Sequence, residues 1–172
     1  RGLGLREYAS AASETSPELL EMLLERGVAG LTVCVQLQGP GDDQRNPMAP
    51  MLDGLRRAGA DVIEVPVYRW ELPRDLEPLD HLVRAIARAE VDGVTFTAQP
   101  AVLAVLERAR ALGEYDAVLA AFNGPVAALC VGPVCAAPLV ELDVAHTCSD
   151  RMRLGSLMRH TTDELANRPA RS

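Results

Sequence analysis

Lysine is absent from this chain of 172 residues, and all 17 of its basic residues are arginine. Aromatic residues are also scarce, at 3% of the chain, so a hydrophobic core has to be built from alanine, leucine and valine. The net charge of −7 at pH 7 disfavours nucleic acid or an anionic membrane surface as the main partner. The sequence has neither an apolar run of transmembrane length nor a signal peptide, and we therefore expect a cytoplasmic protein.

The motifs that usually mark metal, disulfide and nucleotide sites are missing as well. The four cysteines show no C-x-x-C spacing, and Cys34 and Cys130 lie inside apolar runs, which predicts buried, reduced thiols. His81, His146 and His160 have no partner at metal-ligand spacing. No G-x-G-x-x-G or Walker pattern is present, so the sequence gives no support to a nucleotide site or a metal site.

What the chain does contain is a regular alternation of strand-like and helix-like segments, repeated about six times. This order predicts an α/β fold with parallel strands joined by right-handed crossovers. The predicted strands are residues 31–37, 61–68, 94–97 and 127–131, and residues 144–148 form a further short apolar piece. The predicted helices are residues 16–27, 51–58, 78–90, 101–112, 115–122, 134–142 and 153–165.

The stretch that organises the sequence is residues 91–99, a strand that runs into a helix across the polar turn Gln99-Pro100. Ligands of open α/β sheets bind at the carboxyl ends of the strands, so Thr97, Ala98 and Gln99 are the first candidates for chemistry. The polar segment 38–47 also follows a strand. It is equally well interpreted as a binding loop or as a plain surface loop.

Three segments, residues 59–69, 91–99 and 128–137, together resemble uroporphyrinogen-III synthases in their order and spacing. The resemblance implies two α/β domains, the first built from both ends of the chain. It predicts a complete, parallel and doubly wound second domain at residues 1–124. Residues 125–166 would be the returning part of an incomplete first domain, and residues 167–172 a flexible tail. The strand at 91–99 and the turn at Gly132 are then expected to face each other across a hinge near Gly124.

The same resemblance implies an activity. Family members close the linear tetrapyrrole hydroxymethylbilane into uroporphyrinogen III, with inversion of ring D and loss of water, and use no metal or organic cofactor. Tyr68 matches the family tyrosine at the end of a strand and is the expected catalytic residue, a hydrogen-bond donor to the leaving hydroxyl. The expected substrate-binding residues are Thr97, Ala98, Gln99, Gly132, Val134 and Cys135.

Two positions depart from the family pattern. Ala98 stands where the family commonly has serine, and Cys135 stands where it commonly has threonine. The chain also resembles a bacterial subgroup in which the synthase-like region precedes a winged-helix DNA-binding domain, although this segment itself is not expected to bind nucleic acid. Two alternatives to an active synthase therefore stay open. They are a non-catalytic ligand-sensing module of a transcriptional regulator and a truncated product without activity.

Overall fold

The computed structural model describes residues 9–12, 15–37, 48–67 and 71–168. Contacts within the chain divide it into two compact units, Arg1–Glu71 and Leu72–Ser172, called unit 1 and unit 2 below. Three sequence-based expectations lie outside the described residues: the candidate loop at residues 38–47, the catalytic role of Tyr68, and the flexibility of residues 169–172.

The described residues of unit 1 form a two-stranded parallel sheet and two helices. Because proline has no N–H to lose in a first helical turn, Pro17 is well placed at the start of the first helix. The strands pair in register from Thr32 opposite Asp61 to Leu37 opposite Pro66, so Pro66 ends its strand, as its missing N–H predicts. In chain order the elements are α1 Ser16–Arg26, β1 Thr32–Leu37, α2 Ala49–Arg57 and β2 Asp61–Pro66.

Strand β1 is buried on one face only. Val35 and Leu37 are 5% and 1% exposed and belong to the core that α1 and α2 cover. Cys34 points to the opposite face and is exposed, as is its register partner Ile63. The expectation of a buried Cys34 is therefore wrong, because a continuous apolar run does not reveal that only one face of a strand is covered.

Unit 2 contains a three-stranded parallel sheet, in which β4 (Ala127–Cys130) lies between β3 (Gly93–Phe96) and β5 (Thr147–Cys148). Val94 pairs with Ala128 in the middle of the sheet, and Cys130 pairs with Cys148 at its carboxyl end. The predicted parallel strands are thus confirmed. The elements in chain order are α3 Glu77–Ala87, β3 Gly93–Phe96, α4 Gln99–Leu112, α5 Tyr115–Phe122, β4 Ala127–Cys130, α6 Pro133–Glu141, β5 Thr147–Cys148 and α7 Leu154–Ala166.

Helices cover both faces of this sheet. Ala128 and Cys130 of β4 face the larger core, which also contains buried residues of α3, α4, α5 and α6. Leu129 points to the other face and packs with Leu157 of α7. Strand β4 is consequently buried at every position, as a central parallel strand should be, and the predicted α/β fold is confirmed.

The expected boundary near residue 124 does not separate compact units. It lies between α5 and β4, and β4 pairs with β3 in one sheet. Asn123 accepts a 2.7 Å hydrogen bond from the Ala145 N–H, and Arg168 donates one of 3.1 Å to the carbonyl of Pro125. The segment is therefore packed into unit 2, with Val126 fully buried, and it is not a hinge.

Helix α4 begins two residues earlier than its apolar spacing predicts. Gln99-Pro100, expected to be a polar turn between the strand and the helix, forms the first turn of the helix instead, because proline fits there as it does in α1. Gly113 ends the helix in the left-handed conformation, with φ of 72°. Arg108 of α4 hydrogen-bonds Asp80 of α3, which lowers the pKa of that carboxyl and fixes α4 beside its neighbour.

Candidate functional site

The three parallel strands of unit 2 end at one edge of the sheet, and each leads directly into a helix. Strand β3 leads into α4, β4 into α6 and β5 into α7. We call this edge the carboxyl edge. The first N–H groups of a helix have no partner within the helix and carry the positive end of its dipole, so three such ends favour anions here.

The turn between β3 and α4 contains Thr97 and Ala98. Thr97 is exposed, while Ala98 and Gln99 are half-buried. Ala98 is the N-cap of α4, with φ of −157° and ψ of 147°, and no side chain caps the helix. The first backbone amides of α4 are therefore without a capping side chain.

The turn between β4 and α6 is built in the same way. Gly132 is its extended N-cap, Pro133 is the first helical residue, and no side chain caps the helix. Val134 and Cys135 follow in the first turn, and the side chain of Val134 is 52% exposed. Their backbone N–H groups are therefore the donors that this helix start offers to an anion.

The two turns are neighbours along the sheet. The carbonyl of Phe96 accepts a 2.9 Å hydrogen bond from the Val131 N–H and a 3.4 Å bond from the Cys135 thiol. The six substrate-binding candidates therefore lie in unit 2, in the turns and helix starts that follow two adjacent strands of one sheet. The expectation that they face each other across a hinge near Gly124 is wrong.

This arrangement also changes the role of Cys135. Its side chain is 4% exposed, and its thiol donates to Phe96 inside the unit. A threonine hydroxyl in the same place would be a stronger donor than a thiol, but the partner here is protein backbone. We therefore expect Cys135 to meet a ligand through its backbone N–H.

The surroundings of Gly132 leave little space for a Cβ atom. A Cβ atom built at this position would lie 2.5 Å from Cγ and 3.0 Å from Sδ of Met152. Because φ is 173° here, the backbone is extended and unstrained. Close approach of Met152 thus explains the glycine.

The turn between β5 and α7 holds polar groups that the sequence analysis missed. The Ser149 N–H donates a 3.1 Å hydrogen bond to the backbone carbonyl of Cys130. The Ser149 hydroxyl donates one of 2.9 Å to the carbonyl of Val131. Asp150 accepts a hydrogen bond from Ser156 in the first turn of α7. Applying the strand-end rule to the short apolar run 144–148 would have pointed to these residues.

Because of Asp150, the start of α7 differs from the starts of α4 and α6. The hydrogen bond from Ser156 lowers the pKa of Asp150, and the amide and charge of Arg151 act in the same direction. An ionised carboxylate already lies at the first turn of α7. An external anion is therefore expected at the starts of α4 and α6.

Among the described residues, no group of three or more histidine, cysteine, aspartate or glutamate side chains is arranged to hold a metal ion. None of the described helices combines the length and apolar character that crossing a bilayer requires.

The chain is similar to known proteins over most of its length. The family model of uroporphyrinogen-III synthase HemD matches residues 3–159. In solved structures, the wild-type uroporphyrinogen III synthase of Thermus thermophilus is 33% identical, with a TM-score of 0.52. This match covers 89% of the chain and 55% of the synthase. A mutant form of that synthase is 30% identical with a TM-score of 0.57, over 90% of the chain and 56% of the mutant.

A curated relative, the uncharacterized protein YjjA of Bacillus subtilis (strain 168), is 29% identical over 158 residues. The match covers 91% of this chain and 56% of that protein. The chain thus spans a little over half the length of the relatives it matches. With almost its whole length matched by the family model, the chain belongs to the uroporphyrinogen-III synthase family.

Proposed function

We propose that the protein carrying this chain cyclises hydroxymethylbilane to uroporphyrinogen III, with inversion of ring D and loss of water. The observation that carries the proposal is the pair of helix starts at α4 and α6, side by side at the carboxyl edge and without side-chain caps. In a member of this family, such a pair suits a substrate that carries carboxylates.

The main contribution of the protein to this reaction would be to position the substrate. The bilane has eight carboxylate groups, and the enzyme has to fold this chain of four rings so that its two ends meet. Backbone N–H groups of Gln99, Val134 and Cys135 would each donate to a carboxylate oxygen, and the exposed hydroxyl of Thr97 would add a further donor. Holding the ends together and excluding water would favour ring closure over side reactions.

Tyr68 is proposed as the general acid that hydrogen-bonds the hydroxyl leaving the terminal carbon of the bilane. The proposal rests on its match to the family tyrosine, since Tyr68 lies outside the described residues. We expect Tyr68→Phe to lower kcat by about 10-fold or more, because general acids typically contribute at least that much. An unchanged kcat, measured in a coupled assay with enzymatically generated bilane, would leave Tyr68 a packing residue.

Thr97 gives a test of the binding edge itself. A hydrogen bond to a charged group is worth about 1.5 kcal/mol or more, so Thr97→Val should lower kcat/KM about 10-fold, mainly through KM. Thr95→Val is the matched control, because Thr95 is also exposed but lies within β3, before the turn. Equal kcat/KM values for the two variants would remove Thr97 from the site.

A ligand-sensing module without turnover is the second candidate function. Ala98 offers no hydroxyl, and the thiol of Cys135 is engaged with Phe96, so two side-chain donors expected of an active synthase are missing. Such a module would still bind a tetrapyrrole through the backbone amides of α4 and α6. Tight binding of the bilane without formation of uroporphyrinogen III would favour it, and a winged-helix sequence encoded after Ser172 would supply its output.

A further inference from the structure

A groove of about 400 Å³ lies between α1 and the first turn of α2 in unit 1, and neither the family membership nor the proposed function uses it. We call it the α1–α2 groove. Its volume falls within the range of natural small-molecule sites, which starts at about 300 Å³. Most of its lining is apolar and includes Leu20, Leu24, Pro50 and Met51.

The packing of the two helices leaves this groove open on one side. Gly54 of α2 allows Leu20 to pack directly against that helix, since a Cβ atom at Gly54 would lie 2.6 Å from Cδ2 of Leu20. Met51, one turn before Gly54, is 6% exposed and lies at the inner side of the groove. Leu24, one turn after Leu20, is 41% exposed. A ligand that covers Leu24 would therefore remove apolar surface from water.

Two carboxylates, those of Glu21 and Glu25, also line the groove. They are four residues apart on α1, so they lie on one face of the helix. Both residues are exposed, and neither carboxylate forms an ion pair with a described residue. Like charges at this spacing repel each other, and a cation bound between them would relieve that repulsion.

The arginines of α2 do not neutralise these carboxylates, because their side chains are engaged elsewhere. Arg56 forms an ion pair with Glu64 of β2. Arg57 donates a 3.2 Å hydrogen bond from Nε to the carbonyl of Asp53 in its own helix. The α1–α2 groove thus combines an apolar lining with two negative charges that lack a protein counter-charge among the described residues.

We propose that the α1–α2 groove binds an amphipathic organic cation, a molecule with an apolar body and an ammonium or guanidinium group. The apolar body lies against Leu20, Leu24 and Met51, and the flexible thioether of Met51 adapts to its shape. The cationic group lies between Glu21 and Glu25, where charge complementarity selects it. An anion of the same size is disfavoured here, which is the opposite of the preference expected at the carboxyl edge of unit 2.

The test is a titration of the chain with n-octylammonium, followed by NMR, with octanoate as the anion of matched length. We expect saturable binding of octylammonium, with the largest shifts at the methyl groups of Leu24 and Met51. Octanoate should bind about 10-fold more weakly, because each exposed glutamate attracts the ammonium and repels the carboxylate. A titration that does not saturate, shifts confined to other residues, or equal affinities for the two ions would overturn the proposal.

The charge preference is tested by neutralising both carboxylates. The double variant Glu21→Gln, Glu25→Gln should bind octylammonium about 5-fold more weakly and octanoate no more weakly than the parent chain. Glu107→Gln is the matched control, because Glu107 is also an exposed helical glutamate but belongs to α4 in unit 2. An unchanged octylammonium affinity in the double variant would contradict the role of the two glutamates.

The apolar lining is tested at Leu24, whose exposure makes a substitution compatible with folding. Leu24→Ser should weaken octylammonium binding about 5-fold, because less apolar surface is covered. Val140→Ser, at an exposed apolar position of α6, should leave it unchanged, and equal losses in the two variants would count against the groove. Since the readout is binding to unit 1, these results are independent of synthase activity.

Discussion

Gly132 lies on the carboxyl edge at a position where a Cβ atom would meet the side chain of Met152. Met152, in the turn after β5, fills the space that a Cβ atom would take. This single residue thereby joins the turn that follows β4 to the turn that follows β5. The family resemblance singled out Gly132, but only the folded structure supplies Met152 as a reason for the glycine.

We expect Gly132→Ala to reduce the free energy of unfolding by about 1 kcal/mol, the lower part of the range for overpacking, because Met152 has a flexible side chain that can move aside. In a Met152→Ala background the same substitution should cost much less. Urea unfolding of the four chains of this cycle measures the difference.

Gly155→Ala is the matched control for that cycle, because a Cβ at Gly155 meets nothing within 4 Å. It should be neutral or stabilising by up to about 1 kcal/mol, as expected for alanine in a helix. If Gly132→Ala cost the same with and without the Met152 side chain, Met152 would not be the reason for the glycine.

Other residues show the limits of prediction at this scale. Thr97 and Gln99 were found by a positional rule that needs only the order of strand and helix, and their placement at the edge followed. The surroundings of Cys34 and Cys135 depend on which elements cover them. Cys34 is exposed because one face of β1 is uncovered, and the Cys135 thiol is engaged because β3 lies beside β4.

At the scale of elements, the proposed binding of a carboxylate rests on the starts of α4 and α6. Both begin with a proline in the first turn after an N-cap that has no capping side chain. Serine, threonine, aspartate or asparagine at an N-cap usually satisfies one of the free N–H groups. With Ala98 and Gly132 at these positions, the helices lack the stabilisation of a capping side chain, and their first amides stay available for the proposed ligand.

Ala98→Ser tests this interpretation. Ala98 already has the extended backbone of an N-cap, so a serine hydroxyl should raise the free energy of unfolding by about 1 kcal/mol. Ala111→Ser, at an exposed position near the end of α4, is the control and should lower it slightly because serine is a weaker helix former. If the two variants had the same thermal stability, the start of α4 would not be an open cap.

Helix ends were predicted correctly where the backbone preference of one residue determines them. They were predicted incorrectly where a neighbouring element determines them. Pro17 and Gly113 mark a helix start and a helix end through the backbone conformations that proline and glycine favour. The start of α4 lies two residues before its expected position, because Gln99-Pro100, expected to be a turn, also suits the first turn of a helix.

At the scale of the whole molecule, pairing between distant strands decides the architecture. The division expected near residue 124 was wrong because β3 and β4, on either side of it, form one sheet, whereas the contacts divide at Glu71 and Leu72. Local patterns identify strands but do not reveal their partners. The parallel α/β class was predictable, because strands that alternate with helices have to cross over to the same end of the sheet.

Whether this member of the family is a working synthase is tested most directly by the isomer of its product. The protein carrying this sequence would be given freshly generated hydroxymethylbilane, and the uroporphyrinogens would be oxidised to porphyrins and separated by chromatography. We predict uroporphyrinogen III in clear excess over a control without the protein. Only isomer I, formed at the rate of that control, would contradict the proposed activity.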